Sequence, residues 1–333
     1  MALRSFNNPQ SRFLDLYSKT GTDASTPPPI PSPFSATGGT TVDSGGYRTH
    51  IFTTSSTPGF NIKSLGSGTV QVLVIAGGGG GSTGGGGAGG LRNIPYTFTA
   101  TGPYPITIGA GGAGGGASGG GSSCNGNDSF IGPTGARLVS ATYGGGGGSA
   151  DDNRPGEPGG SGGGQRTTGV PPGTLSPGGL TVASPDGISP TVQGYPGGGS
   201  YPYVGGNGMS GGGGGAGGAG QPGNLPSASP RKAGDGGIGL PISWIPASYG
   251  TPGPQPGRYF AGGGGGGTWG NPAGAGGAGG GGAGRAPGDG WDGSNAYPGT
   301  INTGGGGGAN AYPPYGNGGI GGSGIIAIRY PIT

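Results

Sequence analysis

Four times this sequence drives a short strand-like segment straight into bare glycine: QVLVIAGGGGGS at 71–82, SATYGGGGGS at 140–149, RYFAGGGGGGT at 258–268 and INTGGGGGAN at 301–310. A strand earns its place by burying side chains, whereas a glycine run has none and loses more freedom on ordering than any other residue. The two belong to one fold only if glycine permits something that side chains forbid. With 101 Gly and 34 Pro among 333 residues, an ordinary side-chain core cannot account for the whole chain. One reading is a set of flexible Gly/Ser linkers between small strands. Against it, disorder of that kind usually carries a high net charge, and here 14 basic and 11 acidic residues leave only +3. Linkers also have no reason to place Tyr and Trp between their glycine runs.

The glycine middle, roughly 111–320, has stretches of period three, with Gly at 211, 214, 217, 220 and 223 before the register breaks at Leu225-Pro226. Collagen is excluded, since it needs Gly at every third residue along its whole axis. The same left-handed, three-residue turn can nevertheless be taken by glycine chains lying side by side. Such a helix has no internal hydrogen bonds, so every N–H and C=O points outward to a neighbour. A five-glycine run then spans about 15 Å. Ordering one residue costs about 1–2 kcal/mol, against about 1 kcal/mol net from a hydrogen bond. A single such helix does not hold; a bundle anchored at its ends by strands can.

The expected fold is therefore all-β plus coil, with few or no α-helices: a small antiparallel β-sandwich closed by N- and C-terminal strands, with a polyglycine-II bundle inserted. The strand signals are YRTHIFTT at 47–54, GTVQVLVIA at 68–76, a hairpin candidate at 94–110, ARLVSATY at 136–143 and the closing GIIAIRYPIT. In 68–76, Val70, Val72, Val74 and Ala76 fall on one face and Leu73 and Ile75 on the other, so both faces are covered. The last strand alternates Ile326, Ile328 and Tyr330. The organisation reads as a docking arm (1–25), a Pro-rich spacer (26–46) and a glycine-rich domain (47–333), whose β core is 47–110, 136–143 and 323–331. In the arm, Phe6, Phe13, Leu14, Leu16 and Tyr17 are the groups expected to dock on a partner; the alternative is a frayed terminus.

Several function classes fall away. The 14 basic residues are scattered apart from Arg231-Lys232, so no basic stripe points to nucleic acid. One cysteine, Cys124, excludes an internal disulfide, and one thiol beside one histidine makes no Cys/His metal site. No apolar run is long enough for a signal peptide or a membrane span. The acids are dispersed except Asp151-Asp152 and Asp289 with Asp292, which leaves a paired-carboxylate polysaccharide-degrading spike as a minor alternative. His50, mid-strand in RTHIF, reads as a packed side chain and not a base, and Cys124 as a small filler or an exposed thiol. GxGxxG matches carry no weight among so many glycines, and no Gly-Lys pair supports a phosphate loop. No catalytic residue, cofactor or metal is expected.

VLVIAGGGGGSTGGGGAGGL, ITIGAGGAGGG, NGNDSF, ATYGGGGG and GGSGIIAIRY, in this order, resemble the glycine-rich domain of bacteriophage tail-fibre and other virion proteins. The resemblance covers about 47–148 and 304–331. It implies a virion structural component, and the glycine insert is similar in composition and layout to the polyglycine bundle of phage tip adhesins. Between the glycine runs sit Tyr195, Tyr201, Tyr203, Trp244, Tyr249, Trp291, Tyr297, Tyr312 and Tyr315. On stiff Gly/Ser/Asn-rich loops such rings make a contact surface of large area and low entropic cost; the alternative is that they cap the bundle or a neighbouring subunit. The expectation is a tail-fibre or adhesin module on the virion surface, assembled in the host cytoplasm. Its expected partners are other virion proteins through the arm, further copies of itself such as a trimer, and a host cell-surface receptor, with no nucleic acid and no membrane insertion. The alternative is a capsid or neck decoration protein that stabilises the particle.

Overall fold

The computed structural model describes residues 33–66, 68–115, 124–150, 154–166, 177–200, 208–224, 231–268, 271–285, 295–310 and 316–332. Among these there is no helix, and so none long and apolar enough to cross a membrane. The arm residues Phe6, Phe13, Leu14, Leu16 and Tyr17 lie outside the described residues.

Among the described residues twelve strands form three open antiparallel sheets. The first holds β1 (Ser35–Thr37), β4 (Ser56–Ser64), β7 (Gly102–Thr107), β8 (Ser129–Ile131) and β9 (Val139–Ala141), in that order. The second holds β2 (Thr40–Ser44), β3 (Tyr47–Phe52), β12 (Ile325–Pro331), β5 (Thr69–Ile75) and β6 (Leu91–Thr97). A ribbon of β10 (Leu240–Ile242) and β11 (Arg258–Phe260) completes the set. Phe60, Ile62, Ile106, Ile131 and Val139 of the first sheet share one buried cluster with Val72, Val74, Ile94, Ile326, Ile328 and Tyr330 of the second, so the two pack as a sandwich. The last strand sits between β3 and β5, which joins the chain's early and late segments in one ladder.

The opposite face of the second sheet is also covered. Ile51, Leu73, Ile75, Ile325 and Ala327 pack with Ile242, Ile245 and Phe260 of the ribbon and its loop, and with Ala88, Ala216 and Ala261. This agrees with the two apolar faces read from 68–76. It also explains those alanines in glycine segments: they stand where a run meets side chains instead of another backbone.

The expected hairpin over 94–110 is not formed. β6 pairs with β5 and β7 with β4, so the chain crosses from one sheet to the other between Thr97 and Gly102. Ile94, Phe98 and Ile106 thereby enter the same interior from opposite sides, which a hairpin in one sheet would not allow. Strand structure starts at Ser35, within the segment read as spacer, and the 136–143 segment is strand only at 139–141. β4 carries Pro58-Gly59, and the register shift between Ser56 and Phe60 absorbs them as a bulge.

The glycine runs pack as three-fold rods, beginning at Gly77, earlier than the expected 111. Gly77 and Gly80 donate to the carbonyls of Asn127 and Cys124; Gly78 and Gly81 donate to Gly322 and Gly319; Gly79 and Ser82 donate to Gly87 and Gly84. Amides three apart address the same neighbour, and consecutive amides address three different ones, all running in the opposite direction. The carbonyls do likewise toward three neighbours running the same way: they accept from Gly144 and Gly147, from Gly112 and Gly115, and from Gly307 and Asn310. Rod 77–82 is thus bonded on six sides through twelve bonds of 2.7–3.0 Å, within the normal range for backbone pairs. Three directions per turn is the geometry expected of polyglycine II. Strand and rod are continuous: the β5–β6 ladder runs to Ile75↔Leu91, then Ala76→Gly90, Gly79→Gly87 and Ser82→Gly84 extend the same hairpin at a spacing of three.

A side chain has no room inside the lattice. A Cβ on Gly79 would overlap the Gly145 carbonyl, and one on Gly86 the Gly79 carbonyl. Because both obstacles are backbone atoms held by their own bonds, Gly79→Ala is expected to lower stability by about 3 kcal/mol or more. Gly135→Ala, whose added methyl meets nothing within 4 Å, should change it by less than about 0.5 kcal/mol. Thermal unfolding of the two variants checks the contrast.

Candidate functional site

Of the loop aromatics, Tyr201, Tyr203, Trp291, Tyr312 and Tyr315 lie outside the described residues. The other four fall into two settings. Tyr195 and Tyr297 are 47% and 59% exposed and join neither apolar cluster. Their backbones are nonetheless tied into the rods. Tyr195 N–H donates to Gly215 O at 3.0 Å and its carbonyl accepts from Gly162 at 3.1 Å, while the Tyr297 carbonyl accepts from Gly308 at 2.9 Å. Trp244 and Tyr249, in contrast, are half-buried against the ribbon cluster. Tyr249 is fixed by its amide to Pro246 O at 3.0 Å and by Arg258 Nε donating to its carbonyl at 2.9 Å.

Trp244 borders a groove of about 400 Å³ between the 243–246 loop and the end of the second sheet, lined also by Ser44, Tyr47, Thr49, Ser243 and Arg329. The sheet register builds its floor: Arg329 stands opposite Thr49, and Thr49 opposite Val42, so the three share a face. The Arg329 guanidinium carbon lies 4.4 Å from the Tyr47 ring centroid and 5.0 Å from that of Trp244, in cation–π range of both. No ion pair among the described residues involves Arg329. Arg329 Nε and Trp244 Nε1 are buried donors without an acceptor. Sequence reasoning singled out Trp244 but missed Tyr47 and Arg329. The available signal was Arg329 itself, one charge in an apolar strand on the face opposite Ile328 and Tyr330.

Two other polar centres are structural. Arg92 and Asp186 form an ion pair of 2.5 Å with side chains 0% and 2% exposed. Arg92 also donates to the carbonyls of Ser140 and Ile188 and to Ser184 Oγ, and Asp186 accepts from the amides of Ser140 and Ile188. Burial pushes the Asp186 carboxyl up, but these amides and the guanidinium outweigh it and hold it below its ordinary value. The network pins the 184–188 loop across β6 and β9. His50 is fully buried, with Nδ1 2.6 Å from Gly38 O and Nε2 3.0 Å from Tyr330 Oη, which also accepts from the Ala36 amide. As read from the sequence, it is a packed side chain: the neutral ring donates to Gly38 O and accepts from the tyrosine, joining the sheets. Among the described residues no group of His, Cys, Asp or Glu could hold a metal ion; Asp151, Asp152, Asp289 and Asp292 lie outside them. Cys124 is half-buried, and its carbonyl accepts from Gly80.

Residues 53–331, most of the chain, match the glycine-rich domain family. The chain belongs to this family. No curated protein matches it. The family match spans β4 to β12 and the rods between them, while β1, β2 and β3, which complete the two sheets of this glycine-rich domain, precede it.

Asp186→Asn should destabilise the glycine-rich domain by about 3–5 kcal/mol, because it leaves Arg92 charged and buried; denaturant unfolding measures the loss. His50 gives a pH effect of definite sign. Burial holds the folded imidazole below its ordinary 6.5, so the unfolded chain takes up a proton first as pH falls through that value. Stability present above pH 6.5 is expected to decline below it, toward the lowered folded value. In His50→Gln the decline between pH 7 and 5, followed by melting temperature, should flatten.

Proposed function

We propose that this glycine-rich domain is a non-catalytic surface component of a bacteriophage particle, a tail-fibre or adhesin module that contacts the host cell. The observation that carries the reading is the pairing of exposed rings at Tyr195 and Tyr297 with backbone locked into the rod lattice. A ring on an ordinary loop must be ordered when it binds; here only side-chain freedom is lost, which lowers the cost of association. The similarity of the glycine segments to virion glycine-rich domains supplies the setting. The arm at 1–25, with Phe6, Phe13, Leu14, Leu16 and Tyr17, is the proposed attachment to other virion proteins.

Adhesion of the purified full-length protein to host cells tests the reading. Tyr195→Ala with Tyr297→Ala should reduce adhesion by at least about tenfold while leaving the melting temperature close to wild type, since neither ring belongs to a core cluster. Wild-type adhesion that survives the double substitution removes these rings from the contact. A protein that never adheres, but whose loss makes particles fragile, is instead a decoration protein.

A further inference from the structure

We propose that the groove between Tyr47, Trp244 and Arg329 is a binding site for a saccharide ring bearing a carboxylate. This rests on the attachment reading only for the source of the ligand; the site itself is argued from its geometry. Its volume of about 400 Å³ lies within the range of small-molecule sites, about 300–1,000 Å³.

Three features converge on that chemistry. Arg329 carries a full charge with no carboxylate paired to it among the described residues, and a planar guanidinium matches a carboxylate through two parallel hydrogen bonds. Its plane is already fixed between Tyr47 and Trp244, so a ligand need not order it. Second, Arg329 Nε and Trp244 Nε1 are buried donors without acceptors, a condition native structures rarely leave unexplained. Both belong to side chains that line the groove, and the protein itself supplies neither with an acceptor. Third, the remaining lining combines a Tyr47 ring that is 40% exposed with the hydroxyls of Ser44, Thr49 and Ser243. Apolar ring faces beside short hydroxyls suit a hydroxylated ring, which offers an apolar face and an edge of hydroxyls. No lysine or second arginine lines the groove, so one carboxylate, not a polyanion, is the charge it takes.

The experiment titrates the full-length protein with digalacturonate, with its methyl ester and with an aspartyl dipeptide, by calorimetry and by the indole resonance of Trp244. The acid should bind, the ester should bind at least about tenfold more weakly, and the Trp244 indole N–H should shift with the acid. Arg329→Gln should remove the preference of acid over ester, and Tyr47→Ala, at an exposed ring, should weaken both sugars. Should Arg329→Gln fail to fold, the comparison of acid and ester on the wild-type protein and the Tyr47→Ala titration still decide. No binding of the acid, equal binding of acid and ester, or tighter binding of the dipeptide overturns the proposal. Cell adhesion read in parallel keeps the two ideas apart. A wild-type protein that adheres without binding digalacturonate loses the groove alone, and one that binds digalacturonate without adhering loses the attachment reading alone.

Discussion

Everything in this molecule depends on backbone hydrogen bonds between chains that have no side chains to hold them apart. In a conventional core the backbone is paired within helices and sheets, and side chains fill the space between them. In the rods the space between is gone: each amide and carbonyl of 77–82 reaches a different neighbour in turn, in three directions donating and in three accepting. Accounting for every polar backbone group is a requirement of any buried segment. Here that requirement is itself the source of cohesion, and it is met without apolar burial. The same closeness makes the lattice intolerant, because a single methyl at Gly79 or Gly213 runs into a backbone carbonyl that cannot turn aside.

Such a lattice is weak wherever its rods end, and the sandwich and the polar side chains deal with this. Rods enter and leave through strands, as where β5 passes into 77–82 and 84–90 returns into β6. Where the edge of the bundle lacks a backbone partner, a side chain replaces it: Asn125 Oδ1 accepts from Gly146, Ser129 Oγ from Gly109 and Asp235 Oδ1 from Ala275. The buried Arg92–Asp186 pair acts one layer further out, holding the 184–188 loop on the sandwich. Order thus passes from a side-chain core into a backbone lattice with no flexible joint between them in the β5–β6 hairpin.

This rigidity is what makes the surface groups informative. Tyr195 and Tyr297 keep their rings in solvent on backbone that is pinned on the inner side. The groove at Arg329 is rigid for a different reason, because its floor is sheet and its wall is a loop anchored through Trp244 and Ile245 to the ribbon cluster. One scaffold therefore presents two kinds of surface, projecting rings at the bundle and a charged recess at the sandwich. Both suit the binding roles proposed for them, one through apolar ring area and the other through a charge.

Alternation in the sequence was enough to assign both faces of β5 and the inward face of β12, because period two is imposed by the pleat whatever the strand's partners are. The glycine runs were likewise legible as rods, since a three-fold backbone without side chains has few other ways to be satisfied. The crossing between β6 and β7 was not legible: Ile94 and Ile106 look the same whether they line one sheet or face each other across two. Nor was the groove, since Tyr47, Trp244 and Arg329 are distant in the chain and meet only through the β3–β12 register and the packing of the 243–246 loop on that sheet. Above all, the identity of each rod's six neighbours was decided by the tertiary structure. One glycine is chemically the same as another, so the sequence alone specified the kind of contact; which chains make it was set by where the strands at their ends are anchored.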